Sequence, residues 1–370
     1  MKTLTICMAL TLCWCTWIEA AQPKADETPS PDPGAPGLLA SETLGRWSAE
    51  RANTWYAQQP WLVGCNFIPS TAANQLEMWQ EESFDRTTMD RELAWAAGIG
   101  FNTVRVYLHD LAWEADAEGL KKRIDEFLTI AHRHRIRTAL VIFDDCWNEN
   151  PAIGKQPPPI PGVHNSRWLQ SPGKKVVNAP GAWPRLERYA RDVIGTFAAD
   201  KRIVFWDLYN EPGNSGQGTR SLPLLKKAFQ WARASGPSQP LTVGIWHRSR
   251  ELNDFQVAAS DVITFHNYGG AGDLSRQIAE LKEHGRPVIC TEWLRRGHSD
   301  VRSHLPIFKD ENVGCYMWGL VAGKTQTIYP WGSKEDTPEP KVWFHDLLRK
   351  DGTPFAPGEV DLFKRLTTNR

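Results

Sequence analysis

The sequence has no surplus of charge: 43 Lys and Arg residues face 43 Asp and Glu. Without a basic stripe it lacks the electrostatic footprint of a nucleic-acid binder, and no nucleic-acid partner is expected. It has little apolar run-length. The stretch from Leu4 to Trp17 is too short to cross a bilayer comfortably. The cysteines follow no zinc spacing, so they predict no metal site. No Gly-rich phosphate turn follows the first strand candidate, which argues against a doubly wound, nucleotide-binding sheet. No tandem repeat with a period of about 20–50 residues is present. What the chain has in excess is tryptophan, 18 residues of it. Part of that set belongs to the core, and the rest is available to stack on flat apolar faces such as sugar rings.

The N-terminus carries Lys2, then the apolar stretch, then small residues at Ala20 and Ala21. This pattern predicts a cleaved export signal over residues 1–21 and a periplasmic or secreted protein with no membrane span in the mature chain. Leu12 before Cys13 is a poor match to a lipoprotein site. Cys7, Cys13 and Cys15 leave with the signal, and Cys65, Cys146, Cys290 and Cys315 remain. An even number in an exported chain permits disulfides. Residues 22–40 hold Pro23, Pro29, Pro31, Pro33 and Pro36 among small and acidic residues, the composition of a linker. Residues 41–370 are then one catalytic domain, entered through a helix over 42–58.

From Trp61 onward strand and helix patterns alternate. Strand candidates are 61–66, 102–108, 137–143, 203–208, 241–246, 262–266, 287–292 and 313–318. Between them, Leu120, Ile124, Phe127, Leu128 and Ala131 recur at helical spacing, as do Leu274, Ile278 and Leu281. Eight strand–helix units predict an α/β fold, a (β/α)8 TIM barrel. Long connections over 67–84, 144–184 and 319–340 all leave carboxyl ends of strands, where barrel enzymes keep their chemistry.

Two strand candidates end in glutamate. Val204-Phe205-Trp206-Asp207-Leu208-Tyr209-Asn210-Glu211-Pro212 is an apolar strand halted by a residue that cannot donate a backbone hydrogen bond. Pro287-Val288-Ile289-Cys290-Thr291-Glu292-Trp293 is the second. One carboxyl at a leaving oxygen and one carboxylate beneath an anomeric carbon are what glycosidic cleavage requires. The first motif resembles the acid/base signature of glycoside hydrolase clan A, especially family 5, and Thr291-Glu292-Trp293 resembles its nucleophile strand. The resemblance covers roughly residues 60–350. It implies a retaining β-glycosidase acting on oligo- or polysaccharides, with Glu211 as acid/base, Glu292 as nucleophile, and no cofactor or metal.

The same resemblance assigns Asn210 to a sugar 2-hydroxyl, Arg105 in Asn102-Thr103-Val104-Arg105-Val106-Tyr107 to the nucleophile, and Tyr268 to a hydrogen bond on Glu292. His266 is assigned to the sugar or the acid/base, and Trp318 to the sugar platform. Typical members carry a histidine near the end of strand three; here Phe143-Asp144-Asp145-Cys146-Trp147 stands instead. Trp79, Trp147 and Trp168 are expected to line the rim. Asn74, Gln75, Glu77, Trp113, His109-Asp110 and Asp144-Asp145 are further candidates for sugar contacts. His132 and His134, two apart on one helix, cannot share a face and predict no metal pair. The carboxyl groups should stand at the retaining distance of about 5–5.5 Å. Parity along the strands points Cys290 into the barrel and Cys315 outward, with Cys65 and Cys315 as a conceivable outer pair. The long loops predict a pocket or short blind cleft and an enzyme that is exo-acting or prefers short oligosaccharides; a monomer is expected. The competing readings are a transglycosylase using the same glutamates and a non-catalytic carbohydrate-binding barrel.

Overall fold

The computed structural model of the chain describes residues 45–246 and 249–368. The expected signal over 1–21 and linker over 22–40 lie outside the described residues. Among those residues no helix is long and apolar enough to cross a membrane.

Nine parallel strands form one nearly closed barrel: β1 Val63–Asn66, β2 Thr103–Tyr107, β3 Arg137–Asp144, β4 Ile203–Asn210, β5 Leu241–Thr242, β6 Gly244–Ile245, β7 Ile263–His266, β8 Val288–Trp293 and β9 Gly314–Trp318. Their order is β5-β4-β3-β2-β1-β9-β8-β7-β6. The expected eight become nine because the fifth candidate breaks at Val243, so one segment pairs with β4 and the next with β7. Gly244 explains part of the break. A Cβ there would lie 3.0 Å from Nε2 of His266, so a larger residue at this point of the wall would press on that ring.

The entering helix is shorter than expected, Ala49–Ala57, because the Ser48 side chain accepts from Arg51 N and caps it. That segment stops the lower end of the barrel. Trp47 and Ala52 pack with Leu62, Ala139, Val204, Phe205, Val262, Ile289 and Tyr316. The Phe205 and Tyr316 rings meet at 5.9 Å across the interior. The outward strand residues form the larger core against the helices; Ala117–Arg133, for example, buries Leu120, Ile124, Phe127, Leu128 and Ala131. Above this apolar floor, toward the carboxyl ends of the strands, Asn66, Arg105, Asp207, Asn210 and Glu292 converge.

The pleat of β8 is irregular, and this overturns the expected direction of Cys290. Phe265 pairs with Cys290 but His266 pairs with Glu292, so a bulge adds one residue between them. Ile289 therefore faces the barrel interior, and Cys290 faces the helices in the same apolar core as Cys315, its partner in register. Cys65, Cys146, Cys290 and Cys315 are all buried free thiols, so the conceivable Cys65–Cys315 bridge is absent.

Candidate active site

Glu211 follows β4 in a left-handed conformation, φ +44°. Such a turn persists only where its surroundings hold it. Asp145 accepts from Gly213 N at 2.8 Å, and Trp246 Nε1 donates to Pro212 O at 3.1 Å. Burial raises the Asp145 carboxyl to about 6, against the hydrogen bonds of Ser221, Tyr209 and Gly213. The turn aims Glu211 inward. Its Oε1 lies 2.8 Å from His266 Nδ1, and its Oε2 accepts from Asn214 Nδ2 and from the Cys146 thiol at 3.3 Å. Burial works to raise the Glu211 carboxyl, but the hydrogen bond and charge of His266, with Asn214 and Cys146, outweigh it and hold the group below its ordinary value.

Glu292 is bonded more fully. Its Oε1 accepts from Arg105 Nη1 at 3.0 Å and Tyr107 OH at 2.8 Å, and its Oε2 from Tyr268 OH at 2.8 Å. Arg105, wholly buried on β2, spreads its planar fork over Asp207 at 2.8 Å, Asn66 Oδ1 at 2.7 Å and Asn210 Oδ1 at 2.7 Å. Burial works against its charge, yet Tyr107, Asp207 and Glu292 raise its proton affinity well above the usual guanidinium range. The β8 bulge lets both Glu292 and His266 face the cavity from paired positions. Carboxylate oxygens of Glu211 and Glu292 and a ring nitrogen of His266 lie within 4.8 Å of one another. This trio is compact enough to share a cation, and His266 Nδ1 stands between the two carboxylates, 2.8 Å from Glu211 Oε1 and 3.5 Å from Glu292 Oε2.

The cavity, about 910 Å³, is lined by both glutamates, Asn210, His266, Tyr268, Trp318, Trp147 and Trp168 among others. The Trp318 ring meets the edges of Tyr107 and Trp168 at 5.8 and 5.5 Å, so its placement is fixed. Asn210 Nδ2 donates to Asp144 Oδ1 at 2.9 Å. Burial lifts Asp144 to about 7, against the hydrogen bonds of Asn210, Trp168 and Cys146.

Trp79 does not join this cavity. It ends the short helix Gln75–Trp79, whose apolar face turns into the helix–barrel core, and it stacks on Phe84. Its Nε1 donates to Tyr107 O at 2.7 Å, so it braces β2 from behind. Trp113 likewise lies away from the cavity, with its Nε1 on Asp192. Asn74 and Gln75 hold the strand-three loop through Arg167 O and Leu169 O, each at 2.9 Å. Glu77 pairs with Lys324, while Asp110 binds Arg185 and Ser171. Each of these buries a loop rather than offering a free polar group. The sequence reading missed Tyr107, Asn66, Asn214, Trp246, Trp331 and His345. Tyr107 was findable, being two residues from Arg105 on one strand and therefore on the same face. Trp331 and His345 come from a segment with no periodicity.

The long loops after β3 and β9 join over the rim. Asn165 N donates to Thr325 O at 2.8 Å, Asp336 N to Pro161 O at 2.9 Å, His164 N to Ser333 Oγ at 3.0 Å and Gln326 Nε2 to Ile160 O at 2.7 Å. Gly162 has φ +76°, and a Cβ there would lie 2.5 Å from Thr337 N, so the two backbones touch only because it is glycine. The loop after β1 joins them where Lys324 N donates to Ser70 O at 3.0 Å. Buried His164, its imidazole lowered to about 4 by burial, packs tilted against Trp147 and edge-on against His345, each ring 5.4 Å away.

Comparison with known proteins agrees with this architecture. A family model, cellulase (glycosyl hydrolase family 5), matches residues 66–324. No curated protein matches the chain in sequence. Solved structures share its fold at low identity. One is an exo-β-1,4-mannosidase from Opitutaceae bacterium strain TAV5, with TM-score 0.59 and 16% identity over 83% of this chain and 59% of that one. The chain thus spans under two thirds of that mannosidase. A GH5_18 protein from Streptomyces cattleya, solved with GlcNAc, gives TM-score 0.56 and 13% identity over 84% of this chain and 81% of that one. An endo-1,4-β-D-mannanase from Thermotoga petrophila gives 0.53 and 13% over 83% and 99%.

Proposed function

The chain belongs to glycosyl hydrolase family 5, and from that premise we propose that it removes sugars from the ends of β-linked saccharides by retaining double displacement. The observation that carries this reading is that a carboxylate oxygen of Glu211 and one of Glu292 lie within 4.8 Å of each other. It supports direct attack by one of them, because inversion needs a gap of about 6.5–9.5 Å for water. In the first step Glu292 bonds to the anomeric carbon while Glu211 gives its proton to the departing oxygen. In the second, water attacks that carbon, Glu211 takes its proton, and the Glu292 ester bond breaks. Arg105, Tyr107 and Tyr268 hold both oxygens of the nucleophile and aim it. His266 Nδ1, 2.8 Å from Glu211 Oε1, holds the acid/base in place.

The bonded loops after β1, β3 and β9 support exo action, since a polymer cannot lie across a rim they bridge. Mannosides are the sugar class we propose first, because the similar structures include proteins named as mannosidase and mannanase. Lys2 and the apolar stretch behind it support a working place outside the cytoplasm. Digestion of soluble β-mannan and of β-1,4-mannooligosaccharides tests the reading. New reducing ends with nearly constant viscosity are expected, and a rapid viscosity drop with few new ends would sink exo action. No release from any β-linked mannoside would overturn the sugar assignment.

A further inference from the structure

We propose that Cys146 is a positioning residue for the acid/base Glu211, a role that rests on the reading of Glu211 given above. Cys146 stands just beyond β3, in the stretch where the family resemblance leads one to expect a histidine. Its sulfur is the meeting point of three side chains. Asn210 Nδ2 and Asn214 Nδ2 each donate to Sγ at 3.3 Å, and the thiol donates to Glu211 Oε2 at 3.3 Å. The residue is buried yet forms part of the cavity wall. Its own place is set from behind, where its backbone N–H donates to Asp144 Oδ1 at 2.9 Å.

The order of donors gives the arrangement a direction. Both amides spend a hydrogen on the sulfur, so the sulfur's lone pairs are occupied and its one hydrogen is left for the carboxylate. Asn214 also donates to Glu211 Oε2, so the thiol and that amide grip one oxygen while His266 holds the other. Glu211 sits in a left-handed turn with no rigid backbone element of its own. A side chain carried on such a turn is aimed by its partners. Burial and the surrounding carboxylates push the thiol's own proton loss well above the ordinary range, so it remains a donor at any working pH. A histidine in its place would bring a larger ring and a titrating group. A thiol gives a soft, neutral donor that leaves the charge of the site to His266, Glu211 and Glu292.

The test compares Cys146→Ala and Cys146→Ser with wild type on two β-glycosides, one with an activated aryl leaving group and one with a sugar leaving group. Loss of one donor to the carboxylate should lower kcat/KM about fivefold to tenfold on the sugar leaving group and less on the aryl one. The alkaline limb of the kcat/KM profile should move upward by about half a unit, since a carboxylate with fewer donors keeps its proton longer. Serine, which retains the donor, should restore both readouts. Equal losses on both substrates with an unmoved pH profile would overturn the proposal, because a merely structural residue lowers the amount of working enzyme alone. If alanine does not fold, the S–H stretching band decides. Its Cys146 component, identified by its loss in Cys146→Ser, should shift in Glu211→Ala, and an unmoved band overturns the proposal. Should Glu211→Ala itself spare turnover of the sugar leaving group, both readings fall; should it abolish that turnover while Cys146→Ala changes nothing, only this one does.

Discussion

Replacing Arg105 by alanine should be the most damaging single change at the site, for stability as well as turnover. The guanidinium is wholly buried and serves Asp207, Asn66, Asn210, Tyr107 and Glu292 at once. Asp207 is equally buried and its only charged partner at contact distance, among the described residues, is Arg105. Breaking a buried pair by removing one partner costs about 3–5 kcal/mol. Against a total stability of about 5–15 kcal/mol this is a large fraction. The cost should also depend on pH. Burial already raises the Asp207 carboxyl despite the attraction and hydrogen bonds of Arg105. With the arginine gone it rises further, so the folded state takes up a proton the unfolded state releases. The penalty is then small below the unfolded value near 4 and grows as pH rises through the window above it. Urea unfolding at about pH 5 and pH 8 measures this, read as a fall in midpoint at unchanged slope. A loss under about 1 kcal/mol at pH 8, or one larger at pH 5, would refute the reasoning.

Three further outcomes are expected. Asp144, raised to about 7 by burial, makes folding less favourable as pH rises from about 4 to about 7; Asp144→Asn should flatten that decline, and the same unfolding series at several pH values checks it. Gly244→Ala places a methyl 3.0 Å from His266 Nε2 and should lower kcat by about a hundredfold while the far-ultraviolet circular dichroism spectrum stays unchanged. Trp79→Phe removes the donor to Tyr107 O and should cost about 1–3 kcal/mol of stability with KM for saccharides unchanged; a raised KM at full stability would return Trp79 to the substrate site.

The barrel was legible because its strands are apolar runs closed by turn residues, and because helical spacing between them is regular. The pair Glu211 and Glu292 was legible for the same reason, each being a charged residue at the end of such a run. The bulge in β8 was not, since Ile289-Cys290-Thr291-Glu292 reads as an even pleat and nothing local marks the extra residue. It reversed Cys290 while leaving Glu292 inward, so a parity count from Glu292 misdirected the cysteine. Position along the chain points Trp79 to the rim, but the helix Gln75–Trp79 turns that ring into the core and away from the cavity. Trp331 and His345 reach the site through the docking of one loop on another, which is a long-range event with no period to read. The network on Arg105 stood between these cases. Its residue types were visible, but that Asp207 and Asn66 serve it depends on strands far apart in the chain meeting inside the barrel.

The central claim is that Glu292 forms a covalent bond to the sugar while Glu211 transfers the proton. Incubation with a 2-deoxy-2-fluoro-β-mannosyl fluoride, which slows the second step more than the first, tests it directly. Intact mass should rise by one fluorosugar, peptide mapping should place that mass on Glu292, and the Glu292→Ala variant should take up none. A label on any other residue, or turnover by Glu292→Ala equal to wild type, would contradict the account.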